Sequence, residues 1–130
     1  MIESNREIKK PSEKREIMPR FEASALRGYC VSVLMASGVE RSCAEAVADA
    51  LIDAELTGVS THGVSRLAVY MQRMDAGVMS RENNIRIVRE STSTLVVDAG
   101  NSLGAAAAKF AMERCIAKAK ETGCCFASVH

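Results

Sequence analysis

Thr94-Leu95-Val96-Val97-Asp98 is a β-branched run; Gly100-Asn101-Ser102-Leu103-Gly104 follows it, then an alanine-rich stretch that opens with Ala105 to Ala108 and runs to about Thr122. Gly123 and the run Cys124 to Val129 come next. The first run predicts a strand, the alanine-rich stretch a helix that Gly123 caps, and the last run another strand. Strand, helix, strand is the signature of a crossover unit, so the chain reads as mixed α/β. The last strand has the apolar content of a buried one and reaches His130 with no turn or cap behind it.

Upstream, Ile85-Arg86-Ile87 alternates and is separated from Thr94 by Ser91-Thr92-Ser93, which predicts a strand pair, a hairpin. Before it the period is helical. Leu26, Tyr29, Cys30, Val33 and Leu34 share one face of a first helix that Ser37-Gly38 ends. Ser42-Cys43-Ala44-Glu45 has the form of a capping box, and Val47, Leu51 and Ala54 carry the second helix to Gly58. A third helix is expected from Ser60 or Thr61 to about Ala76, with Gly77 behind it and an apolar stripe of Val64, Leu67, Met71, Met74 and Val78. The expected architecture is therefore a lobe of three helices over 20–79, then a strand pair, an alanine-rich helix and a further strand over 80–130. Residues 1–19 form a polar extension interrupted by Pro11 and Pro19, and Met18 before Pro19 is an alternative start of translation.

Composition narrows the function classes. At 130 residues the chain suits one modest core, and 48% apolar with 25% charged residues is globular. A net charge of +1 gives no reason to expect nucleic acid or a membrane surface as partner. Five cysteines, an odd number without a Cys-x-x-Cys pair, predict buried structural thiols rather than disulfides or a metal site. With no signal peptide and no membrane-spanning apolar run, the expected compartment is the cytoplasm.

The chemistry concentrates in Gly58-Val59-Ser60-Thr61-His62-Gly63-Val64-Ser65-Arg66-Leu67-Ala68-Val69-Tyr70. On one continuous helix His62, Arg66 and Tyr70 fall within an arc of roughly 80°, beside the apolar stripe. An imidazole, a fixed cation and a phenol in a row suit gripping a carboxylate and moving a proton. An ordinary solvated face has the same spacing. Asp49, Asp53 and Glu55 read as exposed charges of the second helix, and the Gly100 to Gly104 turn as structural, since it lacks phosphate-loop spacing.

A rival reading is a DNA-binding helix-turn-helix, because Ala54, Gly58-Val59-Ser60 and Val64-Ser65-Arg66-Leu67 resemble that pattern. Against it stand the acids of the second helix, the neutral charge balance, Asp53 at a position usually apolar, and a long third helix.

The wider stretch Ala54-Glu55-Leu56-Thr57-Gly58 through Leu67, with Tyr70 and Gly77, resembles the malate/L-lactate dehydrogenase family that lacks a Rossmann fold. Ureidoglycolate dehydrogenase, sulfolactate dehydrogenase and piperideine-2-carboxylate reductase are relatives in that family. The likeness extends from about Phe21 to Val129 and includes Leu95-Val96-Val97-Asp98, Gly100, Gly104 and Lys118-Ala119-Lys120-Glu121-Thr122-Gly123. The resemblance implies hydride transfer between NAD or NADP and a small 2-hydroxy acid (or its 2-oxo partner) of malate, lactate or ureidoglycolate type. It implies that His62 assists proton transfer, that Arg66 holds the substrate carboxylate, and that Thr61 and Tyr70 touch the substrate. Thr61 replaces the family's usual Ser, and His130 stands where Arg is usual. Family members are more than twice as long, so an Asn-x-x-His segment and most cofactor contacts are expected beyond position 130. The expectation is a truncated central domain, a homodimer at full length, and a 130-residue chain that is catalytically silent by itself.

Overall fold

The computed structural model describes residues 19–130; the polar extension and the alternative start at Met18 lie outside them apart from Pro19. Helix α1 (Ala23–Ala36) buries Cys30, Val31 and Leu34, three residues that helical spacing places on one side. It stops where Gly38 turns left-handed at φ 92°. Helix α2 (Arg41–Leu56) buries Cys43, Ala44, Ala46, Val47, Ala48, Leu51 and Ile52, a band wider than one stripe. It packs against α1 on one side and against α4 (Gly104–Thr122) on another, and its alanines permit the close approach. Burying a side chain such as Leu34 or Val47 completely stabilises the fold by about 1.5–3 kcal/mol.

The expected capping box at Ser42 does not form. Helix α2 begins at Arg41, so the residue in extended conformation ahead of it is Glu40, which makes no side-chain cap bond. Ser42, already inside the first turn, instead donates its hydroxyl to Glu40 Oε1 at 2.8 Å, and Glu45 pairs with Arg41 one turn back.

The third helix also differs from expectation. It splits into a 3-10 turn (Ser60–His62) and helix α3 (Arg66–Asp75), because Gly63 adopts an extended conformation, φ −84° and ψ −152°. Leu67 and Met74 enter the core, and Val64, Tyr70 and Met71 pack half-buried against it. Val78, counted in the apolar stripe, lies past the end of α3 and is 67% exposed. Arg81, which sequence reasoning passed over, ties the ends of two helices together. Its Nε donates to Ser37 O at 2.9 Å, its Nη1 to Met74 O at 3.0 Å, and it pairs with Asp75.

Strands β1 (Arg86–Glu90) and β2 (Thr94–Asp98) form the expected hairpin, antiparallel with a bulge between Ile87 and Arg89. Leu95 and Val97 alternate inward from β2. Helix α4 then crosses over, and β3 (Phe126–Val129) pairs parallel with the other side of β2, giving the order β1-β2-β3. Lys118 Nζ pins α4 to the hairpin loop through Ser91 O at 2.8 Å. The final strand, expected to be buried, is exposed at every position, since β2 is its one strand neighbour among the described residues. No helix among those residues is long and apolar enough to cross a membrane.

Candidate active site

The residues singled out for chemistry sit in the connection after α2 and in the first turns of α3. Helix α2 ends with Thr57 Oγ1 donating to Asp53 O at 2.8 Å, and Gly58 at φ 79° reverses the chain. Val59 N then donates to Ala54 O at 2.8 Å, and His62 N to Val59 O at 2.9 Å, which winds the short turn. Beyond the break at Gly63, Arg66 N donates to Gly63 O at 2.9 Å and starts α3. Residues 57–65 thus separate the two helices, a longer and more structured connection than the three- or four-residue turn of a helix-turn-helix.

Thr61 and His62 are exposed, and Thr61 Oγ1 lies 3.0 Å from His62 Nδ1. The threonine hydroxyl therefore fixes the ring on one side and leaves Nε2 to solvent or a ligand. Arg66 is half-buried in the first turn of α3, and among the described residues its guanidinium has neither a carboxylate nor a hydrogen-bond acceptor. Every other arginine that is half-buried, Arg27 with Asp49 and Arg81 with Asp75, is paired. Arg66 and Tyr70 share a face of α3, four residues apart. His62 does not lie on that helix; the turn, not a shared helical face, carries it.

Sequence reasoning missed Glu55. Read as an exposed charge, it is half-buried and accepts a hydrogen bond from Val64 N at 2.8 Å. A Cβ on buried Gly63 would overlap its carboxylate. One signal was present in the sequence: an acid in the last turn of a helix faces unfavourable carbonyl dipoles, so it asks for a donor elsewhere. Glu55, Val64, Ile52 and Leu56 also line an apolar groove of about 830 Å³ that runs toward Phe21 and Leu26.

The Gly100 to Gly104 turn is held by bonds within the fold. Gly100 N donates to Asp98 Oδ1 at 2.8 Å, and Ser102 Oγ, buried, bridges Glu82 O and Asn84 N.

Among the described residues, the mixed α/β unit presents His62 on an ordered turn and, at the start of α3, Arg66 without an acid partner. The sequence pattern of malate/L-lactate dehydrogenase matches residues 21–130, and the chain belongs to that family. It is 38% identical over 93 residues to L-sulfolactate dehydrogenase of Methanocaldococcus jannaschii, covering 72% of this chain and 27% of that protein. The solved malate dehydrogenase of Pyrococcus horikoshii OT3 superposes with TM-score 0.78 at 36% identity, covering 81% of this chain and 30% of that one. A putative malate/lactate dehydrogenase from E. coli superposes with TM-score 0.82 at 29% identity, covering 87% and 32%. The chain spans about 30% of the length of such relatives.

Proposed function

We propose that this chain is the substrate-side part of an oxidoreductase that transfers hydride between NAD or NADP and a small 2-hydroxy acid of malate, lactate or ureidoglycolate type. The observation that carries the reading is Arg66: a half-buried arginine with no acid partner among the described residues, four residues after His62. A ligand carboxylate would supply the partner that the fold does not. A guanidinium fork meets a carboxylate with two charge-assisted bonds.

His62 serves as the proton carrier. In the tautomer whose Nδ1–H donates to Thr61 Oγ1, Nε2 keeps its lone pair, and this is the form that would take the proton of the substrate hydroxyl during oxidation. In reduction the imidazolium returns that proton to the carbonyl oxygen. Tyr70, on the Arg66 face, borders the bound acid.

The glycine turn at 100–104 commits the Gly100 amide and the Ser102 hydroxyl inside the fold, and it lacks the spacing of a dinucleotide-binding fingerprint. Most of the cofactor's contacts, in this reading, belong to the part of the relatives that this chain does not span. In this reading 20–79 is a helical lobe, 80–130 opens the central domain, and the full-length enzyme is a cytoplasmic homodimer. The 130-residue chain alone turns over no substrate.

Titration of the chain with L-malate or L-lactate, followed by NMR, tests this. The His62 Cε1–H and Arg66 Nε–H resonances are expected to move together. Arg66→Ala should weaken binding roughly ten- to a hundredfold, the value of a charge-assisted fork at about 1.5–3 kcal/mol. Unmoved resonances at both residues, or duplex DNA binding that Arg66→Ala abolishes, would overturn the reading.

A further inference from the structure

We propose that Glu55 is a positioning residue that shapes the His62 turn through its carboxylate, and that position 63 carries glycine to make room for it. The inference rests on the reading of His62 and Arg66 as substrate-side groups. Glu55 belongs to the last turn of α2 and reaches nine residues forward to accept the Val64 amide at 2.8 Å. That amide lies two residues after His62 and two before Arg66. A single carboxylate thereby sets where the 3-10 turn ends and where α3 begins. A charged acceptor makes the bond about twice as strong as a neutral one, and it adds a side-chain tie to the backbone bonds that wind the connection.

Gly63 completes the device. Its φ of −84° lies outside the left-handed region, so a left-handed backbone does not explain glycine here. Space does: a Cβ at Gly63 would overlap the Oε1, Cδ and Cγ atoms of Glu55. Any larger residue would push the carboxylate off the Val64 amide and release the segment that aims His62 and Arg66.

Amide hydrogen exchange and ring spectra of the full chain test this with Glu55→Ala, Glu55→Asp and Glu55→Gln. Gln keeps the acceptor and its reach, Asp keeps the charge but is one methylene short, and Ala keeps neither. The Val64 amide should be protected in the wild type and in Glu55→Gln. It should exchange at least tenfold faster in Glu55→Asp and Glu55→Ala, with the His62 Cε1–H resonance shifting in those same two. Amides inside α2, such as that of Leu51, should not change. Gly63→Ala should reproduce the Glu55→Ala spectrum.

The proposal fails if Val64 is unprotected in the wild type, if Glu55→Gln behaves as Glu55→Ala, or if His62 is unmoved in a folded Glu55→Ala chain. Should Ala and Asp both prevent folding, Val64 protection in the wild type and in Glu55→Gln decides. Arg66→Ala separates the two readings, because it should abolish carboxylate binding and leave Val64 protected. Failure of the dehydrogenase reading would leave the amide results standing.

Discussion

Two glycines illustrate how opposite the effect of one methyl group can be. Gly100 stands at φ 55°, and an added Cβ would lie 2.7 Å from Asn84 Cβ and 3.2 Å from Asn84 O. Gly100→Ala therefore meets both a left-handed backbone and a crowded wall, and should destabilise the chain by about 1–3 kcal/mol. Gly28, in the exposed middle of α1, has nothing within 4 Å of an added Cβ. Gly28→Ala should stabilise by about 0.5–1 kcal/mol, since alanine loses less backbone freedom on folding. Urea denaturation of the two variants checks the pair; a shift of the same sign in both would contradict it.

Elements decide which thiols meet solvent. Cys30 on α1, Cys43 on α2 and Cys115 on α4 are buried, while Cys124 is exposed and Cys125 partly so. Burial holds the Cys30 and Cys43 thiols above their ordinary range, which keeps them protonated near neutral pH. A thiol-specific reagent should label Cys124 first and Cys125 next in the folded chain. The other three should react only on unfolding, as mass spectrometry of the labelled peptides would read; prompt labelling of all five would contradict this. The same elements separate what periodicity reveals from what it hides. The hairpin, α4 and the ends of α1, α2 and α3 at Gly38, Gly58 and Gly77 follow from local pattern, and all three glycines sit at positive φ. The break at Gly63 was not legible, because the carboxylate that lies against it and bonds the next amide is eight residues earlier in the chain, not among its neighbours. The exposure of β3 was missed for a related reason: a strand's burial depends on what lies beside it, and apolar content does not report that. At the candidate site the residue types were readable, whereas the arrangement that presents them, two short segments instead of one helix, was not.

Across the whole molecule, acid stability depends on carboxylates bound at the surface. The hydrogen bond and charge of Arg27 hold Asp49 below the usual carboxylate range, and the hydroxyl of Ser42 and the amide of Asn83 do the same for Glu40. A depressed native value means that the stabilisation is fully present above the unfolded carboxylate range, near pH 4, and is lost as pH falls through the native values. The melting temperature should stay level from about pH 7 to 5 and decline below about 4. Arg27→Met should flatten the part of that decline that belongs to Asp49. Circular-dichroism melts across this range measure it, and a melting temperature that rises on acidification would refute the assignment.

The parallel pairing of β3 with β2 also has a consequence in time. Residues 94–97 find their partners at 126–129 only after α4 has crossed between them. The hairpin and the α1–α2 pair, by contrast, join neighbours along the chain and close quickly. During synthesis the helices leave the ribosome first, so the turn bearing His62 acquires its shape while the sheet is still two strands wide. The outer edge of β2 stays bare for as long as α4 takes to emerge, an interval in which it is open to pairing with the wrong strand.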